Sequence, residues 1–276
     1  MVSIGLTANP TNDKAVEIAL GVQKMLKDRC DLFVADNISK QIGVDGKPLK
    51  DFRGDALVAV GGDGTLLWAA HEVNVPILGV KVGGVGFLAE VDPTEGPLDG
   101  AMERLLSGAY YVESRMMLTS EHGGHYPPDA LNDIVVHVKD VAKMRSFELL
   151  VDRKSVGQLR ADGIVISTPT GSTSYSLSTG GPCLDPSMDA IIVTGIAPFA
   201  SSGRPLVVSP SKEVSVRLVG QEKETMLIVD GLYEEVLPPS SEIHCYRSPQ
   251  RTTLIRFTSQ FFQTLRAKAI IPWERA

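Results

Sequence analysis

Asp63 is the residue from which chemistry in this chain can be built. It lies in Gly61-Gly62-Asp63-Gly64-Thr65, after the apolar run 55–60 and before the stretch 65–73, where Leu66, Leu67, Ala69 and Ala70 cluster on one side at helical spacing. An apolar run bounded by glycines reads as a buried strand of a parallel sheet. The acid therefore sits in a glycine turn between a strand's C-terminal end and a helix N-terminus, where ligands bind in open α/β sheets. The free N–H groups and partial positive charge of the helix start suit a phosphate, and glycines let backbone and ligand approach closely. An acid in such a turn repels phosphate unless it takes a proton or faces a cation. The same pentapeptide also reads as a tight βα connection with Asp63 as helix N-cap, and alone it leaves both readings open.

Three stretches of the second half are hard to explain as packing. Asn132-Asp133 places an amide and an acid just before the apolar residues 134–136, where a turn bonded to its own backbone is the plainer account. Arg160-Ala161-Asp162-Gly163 carries a charged pair into another apolar run, and a surface salt bridge explains it almost as well. The run 167–182 crowds hydroxyls and glycines, including Thr168, Thr170, Thr173, Ser174, Tyr175, Ser176 and Ser178, between two apolar segments. A free linker of that composition would be flexible. Bracketed by strands, its hydroxyls and N–H groups suit a sugar, a phosphate or an adenine edge.

The elements that must position these residues fall into two textures. Up to Ser107, strands at 2–8, 31–35, 55–60 and 76–80 alternate with helices at 13–27, 65–73 and 94–107, which predicts βαβ units and a Rossmann-like parallel sheet. The polar segment 37–53 reads as a loop, and a second glycine-rich turn, 81–87, follows the fourth strand. After Gly108, short strands between turns predict an all-β domain, sandwich-like or barrel-like. Segment 213–218 alternates polar and apolar residues, while 163–166 and 190–193 are more fully apolar and so central. Segment 259–268 reads as a helix with Phe261, Phe262 and Leu265 on one face. The expected domains are 1–107 (α/β), 108–253 (β-rich) and 254–276, packing back on the first.

Bulk properties narrow the classes. A chain of 276 residues with net charge −6 and no basic cluster offers no nucleic-acid footprint. No apolar run approaches the ~20 residues that span a bilayer, and the N-terminus lacks the features of a signal peptide. Cys30, Cys183 and Cys245 are odd in number and scattered, as expected of small buried hydrophobes in a reduced, cytoplasmic chain. His122 and His125 flank two glycines and read as a solvated loop able to take an adventitious metal.

Taken together, these motifs make the chain resemble the NAD kinases, from Asn9-Pro10 to about Pro205. Gly61 to Thr65 matches the family's GGDGT, and Gly84-Val85-Gly86-Phe87-Leu88 resembles its second glycine turn. Glu113-Ser114-Arg115-Met116-Met117-Leu118 resembles its arginine-containing strand entry. Asn132-Asp133, Asp162-Gly163 and the segment 168–175 match further family motifs in order. The resemblance implies transfer of a γ-phosphoryl group to the 2′-hydroxyl of the adenosine ribose of NAD, giving NADP. It implies ATP or polyphosphate as donor, a divalent cation (Mg²⁺ or Mn²⁺), and a homodimer or homotetramer. Asp63 corresponds to the proton acceptor, with Gly64 beside it on the NAD. Asn132 and Asp133 correspond to adenine and ribose contacts. Lys143, Arg160, Asp162, Thr170, Thr173, Ser174, Tyr175, Ser176, Leu177 and Ser178 correspond to further NAD-binding positions. Gly61, Gly62, Gly64, Thr65, Gly84 and Gly86 fall to the phosphoryl donor. No acidic cage for a metal is visible, so the cation is expected on triphosphate oxygens and water. Phe199 and Leu232 depart from the family's usual histidine and polar residue. Two rivals stand beside this reading. A lipid kinase shares GGDGT but would need a membrane-facing surface; a non-catalytic NAD-binding sensor would not need Asp63.

Overall fold

The computed structural model describes residues 1–84, 86–94, 96, 98–140, 143–199, 203–220, 223–259, 261–268 and 270. Val85 of the second glycine turn, 95 and 97 of the expected helix 94–107, residues 200–202 after Phe199, Gln260 of the terminal helix and 271–276 lie outside them. In chain order, the first elements are β1 (Ser3–Ala8), α1 (Asp13–Leu26), β2 (Asp31–Val34), α2 (Asp36–Ile42), β3 (Ala56–Gly61), α3 (Asp63–Glu72), β4 (Ile77–Lys81), α4 (Leu98–Ser107) and β5 (Tyr111–Glu121). Then follow β6 (Asp133–Val138), β7 (Arg145–Val151), β8 (Lys154–Ala161), β9 (Gly163–Ser167), α5 (Tyr175–Ser178), β10 (Ile191–Ile196) and β11 (Leu206–Val208). The last are β12 (Val214–Val219), β13 (Thr225–Val229), β14 (Tyr233–Leu237), β15 (Glu242–Arg256) and α6 (Phe261–Ala267).

The chain divides into two compact units, Met1–Ser114 with Thr252–Ala276, and Arg115–Arg251. In the first, β2, β1, β3 and β4 pair in that order, all parallel. The end of β15 adds to β4, with Leu254 beside Ile77. Buried on both faces, β3 and β4 are near-continuous apolar runs. One face packs on α1 and α4 through Ala15, Ala19, Val22, Met102 and Leu105; the other packs on α3 through Leu66 and Ala69. Asn12 caps α1, its side chain accepting from the Ala15 N–H at 3.2 Å.

Three expectations for this unit need correction. Segment 37–53 is not a loop: α2 and a 3₁₀ turn, Leu49–Asp51, occupy it. Ile38 and Ile42, four residues apart, are buried, as are Leu49 and Phe52, and Gly43 ends α2 at φ 72°. Helix α4 starts at Leu98 rather than 94; the Asp92 carboxylate accepts from the Thr94 N–H and hydroxyl and fixes a turn before it. In α6, Leu265 is buried but Phe262 is 63 % exposed, so the three apolar residues do not share one buried face.

The second unit is an all-β sandwich with short helical turns. One layer pairs the start of β15 with β12, then β7, then β8, all antiparallel. The other runs β11-β10-β9-β6-β13-β14, with β9 and β6 central. Side chains of both layers, among them Phe147, Val214, Val216, Ile164, Ile134 and Leu227, share one core. Cys30 and Cys245 are buried, while Cys183 is only partly so; burial pushes the Cys245 thiol up to about 12. No described helix is long and apolar enough to cross a membrane.

Candidate active site

In the first unit the focal turn is built from the end of β3. The N-cap of α3 is Gly62, not Asp63, and Asp63 is the first helical residue. Its carboxylate therefore does not close its own helix. It reaches across to the second glycine turn, accepting from the Phe87 N–H at 2.7 Å and the Leu88 N–H at 3.1 Å. Gly86 permits this contact, since a Cβ there would lie 2.2 Å from Asp63 Oδ1. Gly61 is needed for a similar reason: its Cβ would meet Thr65 Oγ1 at 2.4 Å. Gly62, Gly64 and Gly84 face open space. The Thr65 N–H donates to the Gly62 carbonyl, which closes the turn. Two of the roughly four acceptor positions of a carboxylate remain for a ligand hydroxyl.

Arg256 holds the same turn from its other side, a part that sequence reasoning missed. Its guanidinium donates to the Leu88 carbonyl at 2.9 Å and the Phe87 carbonyl at 3.3 Å, and pairs with Glu113 at 2.7 Å and Glu90 at 3.4 Å. The backbone of 87–88 is thus fixed by an acid on its N–H groups and a base on its carbonyls. The only sequence signal was a lone arginine ending an apolar strand. Phe87 is in turn covered by Phe261, with ring centroids 5.8 Å apart, and by the Lys268 ammonium, 4.5 Å from its ring.

The second unit gathers the amide, acids and hydroxyls. Asp133 opens β6 and is buried. Burial first, and the neighbouring Asp230 charge second, push its carboxyl up to about 7. Asp133 Oδ2 and Ser176 Oγ are buried, and no hydrogen bond reaches either among the described residues. Such atoms call for a ligand or water. Burial first, and the charges of Asp133 and Asp162 after it, raise the pKa of the Tyr175 hydroxyl. Thr168 donates its hydroxyl to the Leu131 carbonyl at 2.6 Å, and the Asn132 carbonyl accepts from the Thr168 N–H at 2.9 Å. These bonds lock the hydroxyl-rich run to the start of β6. Gly171 lies so close that a Cβ would sit 2.2 Å from the Asn132 oxygen. The Asn132 side chain itself takes no hydrogen bond among the described residues and is half-buried. Thr170 accepts from buried Arg115 at 3.2 Å, and Thr173 donates to the Thr170 carbonyl at 3.3 Å.

Asp230 is the second residue missed. Its carboxylate accepts from the N–H groups of Leu131, Asn132 and Asp133 at 2.8, 2.8 and 2.9 Å, which fixes the amide–acid pair. It stands at φ 54°, a left-handed position that aspartate tolerates. The remaining residues are less tightly drawn in. Asp162 is held by its backbone to Ile196 and Val138. Arg160 is exposed and lies over the Phe199 ring at 5.4 Å rather than pairing as a simple surface bridge. Lys143 pairs with Asp140 at 2.7 Å, between β6 and β7 in the chain. Ser174, Tyr175 and Ser178 are exposed and Leu177 is half-buried. Phe199 and Leu232 are 70 % and 47 % exposed. His122 is not in a solvated loop: it is buried and pairs with Glu235 at 2.9 Å.

A parallel unit with a carboxylate between two glycine turns, and a β unit with convergent acids and hydroxyls, define a nucleotide-handling phosphotransferase. The family described as ATP-NAD kinase N-terminal domain matches residues 4–110, and that described as ATP-NAD kinase C-terminal domain matches 131–257. The NAD kinase of Methanothermobacter thermautotrophicus is 37 % identical over 98 % of this chain and 97 % of its own length. That of Thermococcus kodakarensis is 36 % identical over 95 % and 96 %. A structure of an Archaeoglobus fulgidus NAD kinase in complex with ATP superposes with a TM-score of 0.78 at 26 % identity, covering 97 % of this chain and 98 % of that one. Yeast NADH kinase complexed with NADH shares the fold, with a TM-score of 0.89 at 22 % identity, over 100 % and 89 %. The chain belongs to the NAD kinase family, and its reaction is the phosphorylation of NAD.

Proposed function

We propose that Asp63 is the proton acceptor for the 2′-hydroxyl of the adenosine ribose, with ATP as phosphoryl donor. The observation that carries this is the Asp63 carboxylate itself, aimed by the Phe87 and Leu88 amides and retaining acceptor positions. A ribose hydroxyl is a weak nucleophile, and a fixed carboxylate can take its proton as the new P–O bond forms. Phosphoryl transfer otherwise needs positioning and neutralised charge. The N–H groups of Gly62 and Gly64, at the start of α3, and the backbone at Gly84 suit the donor phosphates, while the Thr65 N–H is taken by the Gly62 carbonyl. Mg²⁺ or Mn²⁺ comes with the triphosphate as part of the donor. Among the described residues, Asp63 spends both oxygens on amides and Asp92 pairs with Lys81, which leaves the triphosphate oxygens and water to hold the cation.

Asn132 and Asp133 read as the adenine and ribose contacts, since one amide is uncommitted and one buried carboxyl oxygen lacks a partner. The same reading assigns Asp162, Thr170 and the run 173–178 to the rest of the nucleotide, with Arg160 and Lys143 as outlying charges. Exposed Phe199 and Val207 supply apolar surface for a homodimer or homotetramer. The unpaired thiols fit a reducing cytoplasm. The deciding experiment incubates the purified chain with NAD and Mg²⁺, offering ATP and polyphosphate in turn. NADP formation with ATP supports the reading. NADP from polyphosphate alone would overturn the choice of donor, and equal turnover by Asp63→Asn would overturn the role of the acid.

A further inference from the structure

The hairpin tip after β5 has no part in that reaction, yet it is built around two histidines. His122 and His125 exchange backbone hydrogen bonds, His122 N–H to the His125 carbonyl at 3.1 Å and the reverse at 2.9 Å. Between them Gly123 and Gly124 stand at φ 57° and 83°. This is the two-residue turn that only residues tolerating positive φ can make. Directly opposed residues of an antiparallel pair point to the same face, and the two imidazole centroids lie 5.5 Å apart. The Gly124 N–H donates to Glu121 Oε1 at 2.6 Å, which fixes the tip.

From β14, Glu235 meets both rings. Its Oε1 is 2.9 Å from His122 Nε2 and its Oε2 3.6 Å from His125 Nε2, and the three ligand atoms lie within 4.8 Å of one another. A tetrahedral ion bound at 2.0–2.1 Å needs donor atoms about 3.3–3.4 Å apart. The two histidine–carboxylate contacts, one to each oxygen of Glu235, lie on either side of that spacing, and His125, exposed at the tip, has room to turn toward a shared ion. The Tyr233 hydroxyl lies 3.1 Å from His125 Nε2, a contact that an ion on that nitrogen would replace.

We propose that His122, His125 and Glu235 bind one divalent d-block ion of the Zn²⁺ type, which pins the 122–125 hairpin to β14. Two imidazoles and a carboxylate favour Zn²⁺, Co²⁺ or Ni²⁺ over Mg²⁺, which prefers oxygen and water. The site is therefore chemically separate from the Mg²⁺ that accompanies a nucleotide. An ion there joins residues 113 positions apart in the chain. Without an ion the same groups make two histidine–carboxylate contacts that exist as ion pairs only while the rings are protonated.

The test uses the full chain, stripped with a chelator and titrated with Co²⁺ and then Zn²⁺ in a large excess of Mg²⁺ and no nucleotide. Expected are one Co²⁺ per chain, visible bands typical of tetrahedral cobalt, displacement by Zn²⁺, and a thermal midpoint that rises with Zn²⁺. His125→Gln and Glu235→Gln should weaken Zn²⁺ binding by at least about tenfold, the lower end of what losing even an outer-shell partner costs. Because His125 is exposed, its variant should keep the metal-free thermal midpoint of the parent. Failure of the parent chain to take up Co²⁺ or Zn²⁺, or unchanged affinity in both variants, overturns the proposal.

Discussion

Replacing Asp63 by Asn keeps the side-chain volume but exchanges one of its two oxygens, of which Oδ2 accepts from the Phe87 amide and Oδ1 from the Leu88 amide, for an NH₂ donor. Asp63→Asn should retain NAD binding while lowering turnover by ~10²–10⁴, the usual worth of a general base. Paired measurement of kcat and of NAD affinity by calorimetry checks this. Gly86→Ala separates aim from chemistry, because the new Cβ would displace the carboxylate while leaving its charge. Turnover should fall by at least about tenfold with NAD affinity kept, and an unchanged kcat would mean that the contact does not position the acid. Asn132→Ala should weaken NAD affinity without unfolding the chain, as calorimetry and a thermal melt would show together. Asp133 yields a pH prediction. Its folded carboxyl, near 7, lies above its ordinary 3.8, so the unfolded chain ionises first. The stability that Asp133 lends is complete below about pH 4 and is lost as pH rises to about 7. Asp133→Asn should therefore flatten the stability profile across that window and raise stability at pH 8, read by urea unfolding at several pH values.

Among the elements, the start of β6 depends on a residue far along the chain. Asp230→Ala removes the acceptor for three backbone N–H groups at once. The loss should cost roughly 2–6 kcal/mol, since the buried donors of Leu131 and Asp133 cost ~1–3 each when left unmade and that of half-buried Asn132 adds little. Chemical denaturation measures it, and a change under about 1 kcal/mol would mean that water replaces the carboxylate. This dependence marks what the sequence made legible. β3, α3 and β4 were readable because local periodicity and glycine punctuation suffice for buried βα units. The GGDGT turn, Asn132-Asp133 and the hydroxyl run were readable because contiguous residues carry them. α2 was hidden because only Ile38 and Ile42 betray its buried side among polar neighbours. The roles of Arg256 and Asp230, and the burial of His122, rest on partners 97 to 169 residues away, and no local pattern encodes such pairings.

For the whole molecule, the first unit is assembled from two separate stretches of chain, while the second is continuous. A chain ending at Arg251 loses the strand beside β4, the buried Leu254 and Ile255, and the Arg256 clamp on Phe87 and Leu88. Each of those apolar side chains is worth about 1.5–3 kcal/mol of burial. Limited proteolysis should cut such a chain within 1–114 first and leave 115–251 protected, and NADP formation should vanish. Equal protection of both parts would refute the dependence.

The same discontinuity orders events on the ribosome. β4 is made early, yet its outer neighbour at Leu254 emerges only after the whole of 115–251. Until then the parallel sheet presents an open edge, the kind of template on which chains aggregate. The continuous unit has all its strands in hand sooner, so maturation closes in the middle of the chain before the beginning is finished. The turn that aims Asp63 is secured only when Arg256 leaves the exit tunnel, so competence for phosphoryl transfer waits until the continuous unit has been made.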